Sequence, residues 1–163
     1  MQVQERWGLD ILSDNQLDAK QIVNDLLVDL FNRILLIEAD FMKKQNVKLS
    51  MNEIHVLEAI EKVEEASMSN IAKLLHITVG SLSTAINTLY QKNYVVRERD
   101  ENDRRKVLIQ LTEQAEEVLK KHDLFHEKMI DSIFSELNVG EDLTLIESLN
   151  NLSSFFKIIK NSE

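Results

Sequence analysis

The sequence predicts a mainly α-helical fold carrying one small β-hairpin, and three observations predict it. Long stretches at both ends repeat apolar residues at intervals of three or four, the spacing of one helix face. Near the middle, two short helical patterns, one with Ile71, Ala72, Leu74 and Leu75 and one with Leu82, Ala85, Ile86 and Leu89, are separated only by His76-Ile77-Thr78. Directly after them, two alternating β-branched segments at 94–99 and 106–111 flank the polar turn Asp100-Glu101-Asn102-Asp103-Arg104-Arg105. Two helices joined by a tight turn make a helix-turn-helix, and the hairpin behind them adds a wing.

The first long stretch has Leu17, Val23, Leu26, Leu27, Leu30, Ile34, Ile37 and Phe41 on one stripe. With Phe31, Leu35 and Leu36 the arc becomes wider than one core contact needs, which predicts a second apolar surface such as another subunit. The alternative is a central core helix within one subunit. Ser50 and Glu53 form a capping box opening a helix with Ile54, Leu57, Ile60 and Val63 inward. Residues 64–67 form a polar connection, and Met68 with its neighbours is placed to add a short third strand beside the wing.

In the helix-turn-helix, Thr78 is the expected N-cap of the second helix, with the Ser81 hydroxyl one turn on. After the wing, Thr112 caps a helix whose inward set is Ala115, Val118, Leu119, His122, Phe125 or His126, Met129, Ile130, Ile133 and Leu137. Gly140 is the expected left-handed end of that helix. A last helix carries Leu145, Ile146, Leu149, Leu152, Phe155, Phe156 and Ile159 as its stripe.

At 163 residues the chain fits one domain, 1–163, without cysteines or prolines. There is thus no disulfide framework and no thiol redox sensor. No apolar run approaches a membrane span and the N-terminus lacks a signal-peptide pattern, so the expectation is a cytoplasmic protein away from membranes. The net charge is −9, but it is uneven. Between Ser69 and Lys106, seven basic residues (Lys73, Lys92, Arg97, Arg99, Arg104, Arg105, Lys106) face four acidic ones (Glu98, Asp100, Glu101, Asp103), leaving that segment at +3 and the rest at −12. Such a distribution turns a basic face toward DNA and an acidic remainder away from it.

On the second helix, the face opposite the apolar stripe carries Gly80, Ser83, Thr84, Asn87 and Gln91. Together with Thr78 and Ser81 they are the expected DNA-binding residues of the helix: Asn pairs with adenine through both its amide atoms, and Thr offers a methyl to thymine. A merely solvated polar face is the plainer alternative. Gly80 in a first helical turn is costly against alanine, a cost that close approach of backbone to DNA explains. At the wing tip, Arg104 and Arg105 are the expected minor-groove or phosphate contacts, while Asp103 and Arg97 hold the wing in shape.

The run Ile71-Ala72-x-x-Leu75-x-Ile77-Thr78, then Leu89-x-x-Lys92-Asn93-Tyr94-Val95-x-Arg97, then Asp103-Arg104-Arg105 and Leu111-Thr112-Glu113 resembles the MarR family of bacterial transcriptional regulators. The resemblance spans about residues 50 to 120. It implies a homodimer in which residues 14–48 and 113–163 supply the dimerisation helices and 50–111 the winged helix-turn-helix, bound to palindromic double-stranded DNA. It also maps the family's Asp-x-Arg pair onto Asp103 and Arg105. His76 and Asn93 stand where the family usually has Gly, and Ala115 replaces a Gly that often follows the Leu-Thr pair.

The segment Ile34-Leu35-Leu36-Ile37-Glu38 and the pair His122-x-x-x-His126 are further similar to the branch that represses fatty-acid-synthesis genes in Gram-positive bacteria. That resemblance implies an acyl chain on acyl carrier protein as corepressor. The alternatives are a repressor released by a small apolar or phenolic ligand, and a zinc-responsive one; outside DNA binding, the alternative is a winged-helix protein-assembly module. His122 and His126, at i and i+4, have metal-binding spacing. With no cysteine present and only Asp123 or Glu127 at hand as a third ligand, they are read as lining an apolar pocket or interface, and no cofactor is expected. No phosphate loop, nucleophile motif or metalloprotease pair is present, so no enzymatic activity is expected.

Overall fold

The computed structural model of the protein describes residues 14–99, 103, 106–137 and 142–160, with the backbone alone at 14–17, 137 and 158–160. The chain divides into two compact units, Met1–His55 and Val56–Glu163.

In the first unit the long apolar stretch is helical but not uniform. Helix α1 (Asp14–Asp25) runs into a π-helical segment, Leu26–Leu30, and then into α2 (Phe31–Lys44). A π-turn holds one residue more than an α-turn, so it rotates everything after it by one position. The stripe predicted through Ile37 and Phe41 accordingly moves on by one: Glu38 and Met42 are the buried residues of α2, while Ile37 is 60% exposed. The broad arc the sequence predicts faces outward, with Leu26, Phe31 and Leu36 at 50 to 72% exposure. After α2, Asn46 takes a left-handed conformation (φ 58°) that turns the chain toward α3 (Met51–Lys62).

The capping box forms as predicted: the Ser50 N–H donates to Glu53 Oε2 at 2.8 Å and the Glu53 N–H to Ser50 Oγ at 3.3 Å. Along α3, Ile54, Leu57 and Ile60 are buried, joined by Val56 and Ala59.

In the second unit, α4 (Met68–Leu75) begins earlier than its apolar pattern suggests, because the Ser67 hydroxyl accepts the Asn70 N–H and caps it. The third strand expected around Met68 is therefore reduced to one bridge, Ser67 to Leu108, supported by the Ile109 N–H donating to the Ala66 carbonyl at 2.9 Å. Ile71 and Ala72 point inward, whereas Leu74 is 44% exposed. Helix α5 (Val79–Gln91) follows, and its Leu82, Ile86 and Leu89 are fully buried.

Both helices of this pair end in the same motif. At the end of α4, His76 sits at φ 55°, ψ 40°, with its N–H returned to Lys73 and that of Ile77 to Ala72. At the end of α5, Asn93 sits at φ 63°, with its N–H returned to Tyr90 and that of Tyr94 to Leu89. These are paired Schellman closures, built here on residues that carry a Cβ. The asparagine tolerates the left-handed region by nature; the histidine is held there by the turn.

Strands β1 (Val95–Arg99) and β2 (Val107–Leu111) pair antiparallel, from Val95 opposite Leu111 to Arg99 opposite Val107. Val95 and Ile109 enter the core. α4 packs on α5 and β2, and α5 on β1. Thr112 fastens the base of the wing: its hydroxyl donates to the Asn93 carbonyl at 2.9 Å and accepts the Ala115 N–H at 3.3 Å, capping α6 (Glu113–Leu137).

The first half of α6 buries Ala115, Val118, Leu119, His122 and Phe125, with His126 half-buried. Further along, Ile130 and Phe134 are nearly half exposed, so the inward stripe expected as far as Leu137 leaves the core early. Gly140 lies outside the described residues. Asp142 accepts the Leu145 N–H at 3.0 Å and caps α7 (Leu143–Lys160), on which Leu149, Phe155 and Phe156 are about half exposed. Among the described residues no helix is long and apolar enough to cross a membrane.

Candidate nucleic-acid interface

With one side of α5 fixed in the core by Leu82, Ile86 and Leu89, its other side is presented to solvent. Gly80, Thr84, Asn87 and Gln91 are exposed there and Ser83 is half-buried. Thr78 and Ser81 turn to one another: the Ser81 N–H donates to Thr78 Oγ1 at 3.1 Å and the two hydroxyl oxygens are 2.9 Å apart. Their first duty is thus to satisfy the start of the helix. Lower down, Thr88 donates its hydroxyl to the Thr84 carbonyl at 3.1 Å, leaving its oxygen lone pairs and methyl as what it shows outward.

Gly80 is not required by its own surroundings. A Cβ placed there meets nothing nearer than Thr78 Oγ1 at 3.8 Å, an ordinary contact. Its helical backbone makes no demand for glycine either.

Arg97 is expected to hold the wing in shape, and its guanidinium joins the wing to α5. It donates to Asn87 Oδ1 and lies over the Tyr90 ring, 5.5 Å from the centroid. Tyr90, half exposed on the same side of α5, is the residue sequence reading passed over; its position three beyond Asn87 was the available signal. Within the hairpin, Gln110 donates to Glu98 and the Lys106 N–H donates to the Asp103 carbonyl at 2.8 Å.

Lys106, counted in the basic surplus, is paired with Glu65 of the connection before α4 at 3.2 Å. Among the described residues of this segment, Lys73, Lys92, Arg97 and Arg99 are exposed as well. Arg104 and Arg105 lie outside the described residues. On α6 the structure brings His122 and His126 together, with their Nε2 atoms 3.3 Å apart, while Asp123 and Glu127 are exposed.

A helix-turn-helix with a two-stranded wing, an outward polar helix face and an arginine bridging the two is the winged-helix architecture. The comparisons make this specific. The model of the MarR family matches residues 49–107. The transcriptional regulator ZitR of Lactococcus lactis is 33% identical over 116 residues, 71% of this chain and 77% of ZitR. SarZ of Staphylococcus epidermidis, an HTH-type transcriptional regulator, is 32% identical over 98 residues, 59% of this chain. That match spans 64% of the length of SarZ. Among solved structures, Streptococcus pneumoniae FabT in complex with DNA superimposes with a TM-score of 0.76 and 29% identity, over 86% of this chain and 99% of that one. The chain belongs to the MarR family, a family of transcriptional regulators and not of enzymes.

Proposed function

We propose that the protein is a homodimeric repressor that reads a palindromic DNA site and controls fatty-acid-synthesis genes, with an acyl chain on acyl carrier protein as corepressor. The observation that carries the DNA reading is the outward polar face of α5, where a Cβ at Gly80 would meet no clash and Asn87 accepts a hydrogen bond from Arg97 of the wing. The dimer reading is supported by the apolar residues left exposed on both flanking stretches, among them Phe31, Leu36, Phe155 and Phe156. Exposed apolar surface of this extent is covered by a partner in a soluble assembly. Two-fold symmetry then spaces the half-sites about one helical turn apart.

The fatty-acid reading rests on the resemblance of residues 34–38 and of the His122-His126 pair to that branch, and on the likeness to pneumococcal FabT over most of both chains. The test is fluorescence anisotropy with duplexes selected from a random pool, with and without long-chain acyl carrier protein. The expected result is tight binding to a palindrome that weakens steeply with salt, because neutralised phosphates release counterions, and that tightens when the acylated carrier is added. Equal affinity for every duplex would reject sequence reading. An unchanged affinity with the acylated carrier would reject the corepressor and leave the DNA reading standing.

A further inference from the structure

We propose, resting on the DNA reading above, that Tyr90 is a positioning residue for base recognition: its ring is the platform that holds the Arg97 guanidinium against Asn87, and so sets which base edge Asn87 accepts. Tyr90 stands three residues beyond Asn87 on α5, which puts the two side chains on one side of the helix. Its backbone is anchored. The preceding Leu89 is fully buried, and the Tyr90 carbonyl accepts the Asn93 N–H at 3.1 Å in the closure that ends α5. The ring itself is 50% exposed, so its place on this face is not explained by filling the core.

A hydrogen bond from Arg97 Nη2 to Asn87 Oδ1 fixes one end of the guanidinium and leaves its plane to rotate. The Tyr90 ring supplies the second restraint: the guanidinium lies over it, 5.5 Å from the centroid, inside the distance at which the negative face of an aromatic ring attracts a cation. The strand end of the side chain is fixed as well, because Arg97 pairs with the buried Ile109 and β1 packs on α5. Held at both ends, the guanidinium keeps Asn87 with its oxygen toward the wing. An asparagine amide turned end for end exchanges its donor and its acceptor, and with them the base edge it matches. The ring therefore acts on discrimination between bases and leaves the number of charges facing the phosphates unchanged.

The rival account is a tyrosine whose hydroxyl meets DNA directly, and two substitutions in the full-length protein separate them. Anisotropy is measured on the selected palindrome and on duplexes altered at the base pair where Asn87→Ala loses preference. Tyr90→Phe keeps the ring and is expected to discriminate as the wild type does. Tyr90→Leu keeps an apolar side chain of good helix propensity and is expected to lose about two- to fivefold of that discrimination, the range of an exposed cation–π contact, at an unchanged salt slope. Without DNA, proton NMR is expected to show the Arg97 side-chain signals shifted upfield by the ring in the wild type and in Tyr90→Phe, and not in Tyr90→Leu. Full discrimination in Tyr90→Leu, an equal loss on every duplex, a loss in Tyr90→Phe as large as in Tyr90→Leu, or Arg97 signals indifferent to the ring each overturns the platform. A wild-type protein without base preference rejects the DNA reading itself, and the platform with it; preference that is intact in the wild type and in Tyr90→Leu alike rejects the platform alone.

Discussion

Arg97 of β1 donates a hydrogen bond to the side-chain carbonyl of Asn87 on α5 and rests on the ring of Tyr90. One side chain of the wing is thus tied to the outward face of α5. The Arg97 guanidinium takes one lone pair of Asn87 Oδ1, and the second lone pair and the amide nitrogen are what Asn87 has for a base edge. If Asn87 reads adenine through both amide atoms, Arg97 fixes the orientation in which it does so. Coupling of this kind is measurable: Asn87→Ala and Arg97→Ala are each expected to weaken binding to the selected palindrome, Asn87→Ala by about 1–3 kcal/mol. The double variant is expected to lose less than the sum, by at least about 0.5 kcal/mol, as coupled neighbours do. Strict additivity in the anisotropy measurements would show that the two residues act on DNA separately.

Gly80→Ala is expected to move stability and DNA binding in opposite directions. The new Cβ meets only Thr78 Oγ1 at 3.8 Å, so the helix gains propensity without a clash, a stabilisation of up to about 1 kcal/mol in urea denaturation. On the DNA side the same methyl occupies the space through which the backbone comes close to the duplex, and affinity falls. A variant both more stable and equally tight on DNA would make Gly80 an accident of sequence.

His76→Gly is expected to stabilise the fold and leave DNA affinity alone. A histidine at φ 55° pays for the left-handed backbone, and glycine relieves that by about 1 kcal/mol. The gain is read as a higher urea midpoint at an unchanged slope. A lower midpoint would mean that the His76 side chain contributes more in place than its backbone costs.

The elements of the winged helix were legible because each has a local cause: the Ser50-Glu53 box, the Thr78 and Thr112 caps, and the period-two strands around Val95 and Ile109 all form where residue chemistry puts them. Three things were not legible. The π-segment at Leu26–Leu30 moves burial from Ile37 and Phe41 to Glu38 and Met42, and no apolar count foresees an inserted residue in a turn. Arg97 looked like a strand residue of the wing because its partners, Asn87 and Tyr90, lie on another element. Lys106 looked like a free cation because Glu65, its partner, is 41 residues away in the chain.

The wing tip separates most cleanly from the helix in a paired substitution. Arg105, which the Asp-x-Arg resemblance marks for the minor groove, stands in the chain between β1 and β2 among charged residues, so Arg105→Ala is expected to change stability by no more than about 0.5 kcal/mol. DNA binding should weaken most where the flanks of the site are A·T-rich and narrow, since the stronger negative potential there is what favours a guanidinium. The dependence of log affinity on log salt should also become shallower by about one unit, one phosphate-neutralising charge having been removed. Asp103→Ala should differ in kind. Asp103 is half-buried and its carbonyl accepts the Lys106 N–H at 2.8 Å, at the entry to β2. That main-chain bond survives the substitution; Asp103→Ala removes the half-buried carboxylate expected to hold the wing in shape, and its loss is expected to lower the melting temperature and, through the wing, the affinity. If Arg105→Ala binds A·T-flanked and G·C-flanked sites with wild-type affinity and wild-type salt slope, the wing plays no part in reading DNA and the outward face of α5 does that work alone.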